Sequence, residues 1–170
     1  MRLLGLDPGL RHTGWGIIDV EGSHLRYVAD GAIHPKADLG LAERLVQLHH
    51  ALAKVIADHR PAEAAVEETF VSQNAASTLK LGMARGVVVL VPALGGLAVS
   101  EYPGNLIKKS VVGVGHATKD KVQMMVRRLL PGCRLDSEDS ADALAVAICH
   151  AHHAGTARRV AAAAVGARVP

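Results

Sequence analysis

The chain has 170 residues, 49% of them hydrophobic, with 19 Lys and Arg against 16 Asp and Glu, for a formal net charge of +3. That length suits one domain with a substantial core, and the apolar fraction excludes a disordered chain. Only 2% of the residues are aromatic (Trp15, Tyr27, Phe70 and Tyr102), so the core has to be aliphatic.

In chain order, residues 2–7 form a short apolar strand ending on Asp7, at a Pro-Gly turn. Asp7 and Pro8 also interrupt any apolar leader segment. Residues 13–20 and 25–33 read as two more strands, close enough for an antiparallel meander. The period then changes: Leu41, Leu45, Leu48, Leu52, Val55 and His59 repeat every three or four residues, an amphipathic helix closed by Pro61. Residues 64–68 make a fourth strand, and residues 74–91 a second helix expected to stop before Pro92. The longest apolar run, residues 87–99, is broken by Pro92 and Gly95-Gly96, short of the ~20 residues a membrane span needs.

Residues 97–102 are a fifth strand, 105–112 a short helix, and 119–130 a helix that Thr118 is placed to cap. Ser137 is placed to cap a last helix over residues 138–153, with acidic residues in its first turn as the dipole favours. Cys133 and Cys149 form no CxxC pair and fit a reducing compartment. The expectation is a soluble cytoplasmic α/β protein: a mixed five-stranded sheet flanked by helices over residues 1–153, the first and fourth strands side by side, and a mobile, basic, Ala-rich tail over residues 154–170.

The small net charge hides an asymmetry. Residues 1–70 carry a net −3, whereas residues 103–130 carry a net +5 from Lys108, Lys109, Lys119, Lys121, Arg127 and Arg128 against Asp120 alone. Such a stretch is the footprint of a polyanionic partner, or else a solvated helix face.

Four carboxylates end up near one another in this layout. Asp7 and Glu67 sit at the ends of the first and fourth strands, while Asp139 and Asp142 stand three apart in the last helix, on one face. Taken singly, each has a plainer role: Asp7 as a turn residue, Asp139 as a dipole partner, Glu67 as a lysine's partner. Together they repel, and a hard cation would relieve that. Two such ions ~3.5–4 Å apart can clamp the attacking water and leaving oxygen of a phosphodiester.

At these residues the sequence resembles the RuvC family of Holliday-junction resolvases. The likeness runs through Leu4-Gly-Leu-Asp-Pro-Gly-Leu-Arg-His-Thr-Gly-Trp-Gly16, then Val66-Glu-Glu-Thr-Phe70, then Asn74-Ala-Ala-Ser-Thr-Leu-Lys-Leu-Gly-Met-Ala-Arg-Gly86. It continues in Val111-Val-Gly-Val-Gly115 with Lys119, and in Asp139-Ser-Ala-Asp-Ala-Leu-Ala145. It implies a ribonuclease H-like fold, a homodimer, and a nuclease that nicks two opposing strands of a four-way DNA junction during recombination and repair. It also implies a branch-migration motor as partner and divalent metal, Mg²⁺ or Mn²⁺, two ions per site.

Carried over by motif, the metal carboxylates are Asp7, Glu67, Asp139 and Asp142. Glu67 rather than Glu68 fits the spacing to Phe70, and Asp139 rather than Glu138 the spacing to Asp142. Phe70 is implied as the aromatic that stacks on a junction base, and Lys119 as a catalytic lysine. Further DNA contacts are implied at Ser72, Gln73, Asn74, Lys80, Arg85, Lys108, Lys109 and Lys121.

Two other readings compete. An actin-like or sugar-kinase-like phosphotransfer domain opens on a similar strand-Asp-Gly-turn unit, but needs a second domain around its nucleotide. A non-catalytic junction binder would not need four acids. The cluster of His150, His152 and His153 beside Cys149 is expected to be a solvated helix end rather than a zinc site.

Overall fold

The structure is a computed structural model that describes residues 1–68 and 74–166, with side chains to residue 155. Five strands form one sheet in the order β3-β2-β1-β4-β5: β1 (Arg2–Asp7), β2 (Thr13–Glu21), β3 (His24–Ile33), β4 (Glu63–Glu68) and β5 (Ala98–Pro103). The first three strands pair antiparallel, whereas β4 lies parallel to both β1 and β5. A parallel neighbour needs a crossover, and α1 (Leu41–His59) and α2 (Ala75–Leu94) supply the two. The remaining helices are α3 (Gly104–Val112), α4 (Lys119–Leu129) and α5 (Glu138–Gly166).

Strand β1 is central, so both its faces are covered. Its Leu4 and Leu6 join Ile17, Val66, Leu48, Leu52 and Val88 in the core under α1 and α2. Its Leu3 joins Ile18, Ala65, Leu144 and Ile148 in the core under α3, α4 and α5. The second core leans on close approach rather than bulk. A Cβ on Gly5 would stand 2.1 Å from the Ala143 carbonyl oxygen, one on Gly14 would stand 1.9 Å from that of Asp139, and one on Gly16 would strike the Leu144 side chain at 2.7 Å. Glycine at these three sheet positions lets α5 lie directly on β1 and β2, and that contact brings the start of α5 to the strand ends.

Three local expectations change. Helix α2 does not stop before Pro92 but continues to Leu94. Proline removes one helical N–H, and here the loss falls in the last turn while the Pro92 ring is buried. Among the described residues, α2 is then the one helix long and apolar enough to cross a membrane by length and composition, although it carries Lys80 and Arg85 and buries Ala84, Val88 and Val91 in the protein core. Thr118 stands at the N-terminus of α4 but makes no side-chain cap bond. Helix α5 runs on to Gly166 instead of ending near His153, through an alanine-rich stretch of high helix propensity.

The histidine cluster is also not a solvated turn throughout. His150 is only 3% exposed. Its Nε2 lies 2.8 Å from Glu63 Oε2 and its Nδ1 2.9 Å from the Tyr102 hydroxyl, which ties α5 to β4 and β5.

Candidate active site

The site forms where the ends of β1 and β4 meet the first turns of α5. Alternation sets Leu3, Gly5 and Asp7 on one face of β1, and the register Leu3↔Glu63, Gly5↔Ala65 sets Glu63, Ala65 and Glu67 on the same face of β4. That face is the one α5 covers. Ser137 Oγ accepts from the Ser140 backbone N–H at 3.0 Å, capping α5, and Asp139 and Asp142 follow in its opening turns. Beyond Asp7, the buried Thr13 hydroxyl donates to the Gly9 carbonyl at 2.6 Å and closes the Pro8-Gly9 turn.

The charges interact as the sequence pattern implies. The Asp7 carboxyl is pushed up to about 8, first by burial and then by Glu67, Asp142 and Asp139, with Lys119 opposing. Glu67 is raised by burial and by Asp142, against Lys108 and Lys119. Burial likewise raises Asp142, against Lys119. Lys119 is raised in turn, chiefly by Asp142: its Nζ lies 3.6 Å from Asp142 Oδ2 and 3.4 Å from Glu138 Oε2. At about 8, the Asp7 carboxyl holds a proton at neutral pH unless a cation joins the cluster.

Two clefts flank the acids. The larger, about 460 Å³, is lined by Asp7 and Asp139 together with Arg11, His12, Arg44, Ser77 and Lys80. The smaller, about 120 Å³, is lined by Glu67 and Asp142 with Lys108, Lys119 and Gly104. Gly104 admits the carboxylate: a Cβ there would stand 2.7 Å from Glu67 Oε1.

Among the described residues, no three His, Cys, Asp or Glu side chains are arranged to enclose one metal ion. The donors are all carboxylate oxygens, divided two and two between the clefts. This set suits Mg²⁺, which takes one or two carboxylates and completes its shell with water and substrate phosphate.

Of the other sequence candidates, Lys80, Lys108 and Lys119 line the clefts, whereas Lys109 and Lys121 are exposed outside them. Asn74 caps α2, its side chain accepting from the Ser77 N–H at 3.0 Å. Arg85 is ion-paired with Glu101. Phe70, Ser72 and Gln73 lie outside the described residues. The sequence reading missed Arg11, His12 and Arg44. Arg11 stood in view inside the first motif, but Arg44 is reached only through the docking of α1.

Known proteins resemble this chain along nearly its whole length. The sequence profile described as Crossover junction endodeoxyribonuclease RuvC matches residues 3–150. The chain belongs to the RuvC family. RuvC of Paramagnetospirillum magneticum is 66% identical over 161 residues, covering 95% of this chain and 97% of that protein. RuvC of Rhodopseudomonas palustris is 59% identical over 160 residues, covering 94% and 92%. The solved structure of T. thermophilus RuvC in complex with Holliday junction substrate superposes with a TM-score of 0.86 at 31% identity, over 92% of this chain and 96% of that one. The ribonuclease H-like fold is therefore the observed one, and the chain is an enzyme of a divalent-metal-dependent nuclease family rather than a phosphotransfer domain.

Proposed function

We propose that this chain resolves four-way DNA junctions by nicking two opposing strands during homologous recombination and repair. The observation that carries the proposal is the set of four acids at one sheet end, two facing each cleft, with cationic side chains on both flanks. Asp7 and Asp139 would hold one divalent ion, Mg²⁺ or Mn²⁺, and Glu67 and Asp142 a second. Bound there, the metal supplies Lewis acidity at the phosphoryl oxygens and a water of lowered pKa.

The chain's own residues do the rest. Lys119, anchored between Asp142 and Glu138, meets the charge that builds on the phosphate when water adds to phosphorus and one P–O bond breaks, the departing oxygen taking up a proton. Lys108 steadies the adjoining backbone phosphate beside Glu67. Lys80 faces DNA from the other cleft, and Phe70, Ser72 and Gln73 would add contacts to the junction. Asn74, Arg85, Lys109 and Lys121 would contribute at most through outer contacts, since two of them are engaged within the protein and two are exposed residues that line neither cleft.

Two opposed nicks require two sites, hence a homodimer. The support for it is an uncovered apolar face on α2: Leu79, Met83, Leu90 and Leu94 are exposed, and the Cβ positions of Gly82 and Gly86 meet nothing within 4 Å. Residues 1–153 would form the nuclease domain and residues 154–170 an appendage, the enzyme acting in the cytoplasm with a branch-migration motor.

The test is a labelled synthetic four-way junction beside a linear duplex of the same sequence, each with Mg²⁺. Paired nicks in opposing junction arms with the duplex uncut are expected. Binding without any nicks would favour a junction-binding scaffold.

A further inference from the structure

Several cations of the molecule are committed to acids. Lys119 is held by Asp142 and Glu138, Arg85 by Glu101, and Arg2 and Arg26 by Asp19. The larger cleft gathers three that are not. Arg11 comes from the β1–β2 loop, Arg44 from the start of α1 and Lys80 from the start of α2, and among the described residues none of the three forms an ion pair. The acids that line the cleft with them are Asp7 and Asp139.

Arg44 is distinctive. Its Nη2 donates to the Leu10 carbonyl at 2.9 Å, which fixes the loop that carries Arg11. Its Nε is buried without a partner among the described residues, as is that of Arg85, but of the two only Arg44 lines the cleft. A guanidinium N–H withdrawn from water without an acceptor is unfavourable until an anion reaches it, and the planar fork of arginine suits phosphate oxygens.

We propose that Arg11, Arg44 and Lys80 form a phosphate ledge. It holds the cut strand where that strand continues past the scissile phosphate, on the side of the acids opposite Lys108 and Lys119. Arg11 and Lys80 contact the backbone, and Arg44 sets the Pro8–Arg11 loop while its fork faces the same phosphates. This rests on the junction-cleavage reading. The strand would cross the acids from one cleft to the other, gripped on both sides, which fixes where its phosphodiester lies.

The test uses the full chain in metal-free buffer, so that binding is read without cutting. Junction affinity is measured over a salt series for wild type, Arg11→Gln, Lys80→Gln, the double variant, and Lys54→Gln. Lys54 pairs with Asp58 on α1 away from the cleft and controls for net charge. Each ledge substitution is expected to weaken binding and to lower the slope of log affinity against log salt by about 1, with Lys54→Gln unchanged.

Methylphosphonate linkages on one side of the cut should weaken wild type but not the double variant, and Lys108→Gln should be insensitive on the other side. A double variant that matches Lys54→Gln would overturn the ledge while leaving the cleavage reading intact, as would Lys108→Gln and the double variant losing sensitivity to the same linkages. Wild type that fails to bind the junction would strike the cleavage reading itself. Arg44→Lys and Arg44→Gln extend the series, with thermal melts as the folding check; Arg44→Lys, which loses the fork, is expected to fall between wild type and Arg44→Gln.

Discussion

The two flanks of the acid cluster use positive charge differently. Beside Glu67 and Asp142 the cleft is about 120 Å³ and Lys119 touches the acids, its ammonium 3.6 Å from Asp142 Oδ2. Beside Asp7 and Asp139 the cleft is about 460 Å³, and Arg11, Arg44 and Lys80 stand free of ion pairs among the described residues. A lysine in contact with the acids tunes them and stands where charge develops. Cations at a distance act on a ligand's reach and register. The lysine that meets the developing charge thus stands on one flank, and the unpaired cations of the ledge on the other, with Lys108 sharing the grip.

The largest expected effect breaks this division by removing an acid from either flank. Glu67→Gln and Asp139→Asn should each take junction cleavage below detection while leaving binding in place, as read by gel shift and by a cleavage time course. If only one of them does, the acids do not act as one set.

Next come the lysines. Lys119→Gln should lower the single-turnover cleavage rate by roughly 10²–10³-fold, the scale for losing one placed electrostatic contact. Lys80→Gln should weaken binding with little change in that rate at saturating protein. Equal effects on rate would erase the contrast between the flanks.

Below these stands the packing that unites the flanks. Gly5→Ala sets a methyl 2.1 Å from the Ala143 carbonyl oxygen, so α5 must shift, and urea melts should show a loss of about 1–3 kcal/mol.

The remaining prediction is the pH dependence of stability without metal. Asp7 titrates near 8 in the folded protein and near ~4 in the unfolded chain. The folded state therefore holds the extra proton between those values, and the stability from this group is complete below about pH 4 and is lost as pH climbs towards 8. Thermal melts in chelator from pH 5 to 8.5 should fall less steeply for Asp7→Asn than for wild type. Glu67 and Asp142, raised in the same direction, leave the variant some slope. Added Mg²⁺ should restore wild type more than the variant.

Much of this was legible in the sequence. The change from strand to helix period placed β1 through β4 and α1 nearly to the residue, because each of those segments carries its own hydrophobic pattern and a Gly or Pro boundary. In residues 64–68 the alternation and the motif's spacing to Phe70 both pointed to Glu67 rather than Glu68. What escaped were features that depend on where elements dock. Pro92 signals a stop, yet it is tolerated in the last turn of α2. The face of His150 is polar by composition and buried by the approach of β4 and β5. Arg44 is an ordinary charged residue on α1 until its guanidinium meets the Leu10 carbonyl 34 residues away. The net +5 of residues 103–130 foretold one flank, but the ledge draws on the net-acidic first segment and on α2, which a segment tally could not single out.

The most direct test of the central claim compares wild type with Asp7→Asn on one synthetic four-way junction in Mg²⁺. Wild type should introduce paired nicks, and Asp7→Asn should bind the junction with comparable affinity and leave all four strands whole. Cutting by Asp7→Asn at the wild-type rate would contradict the account.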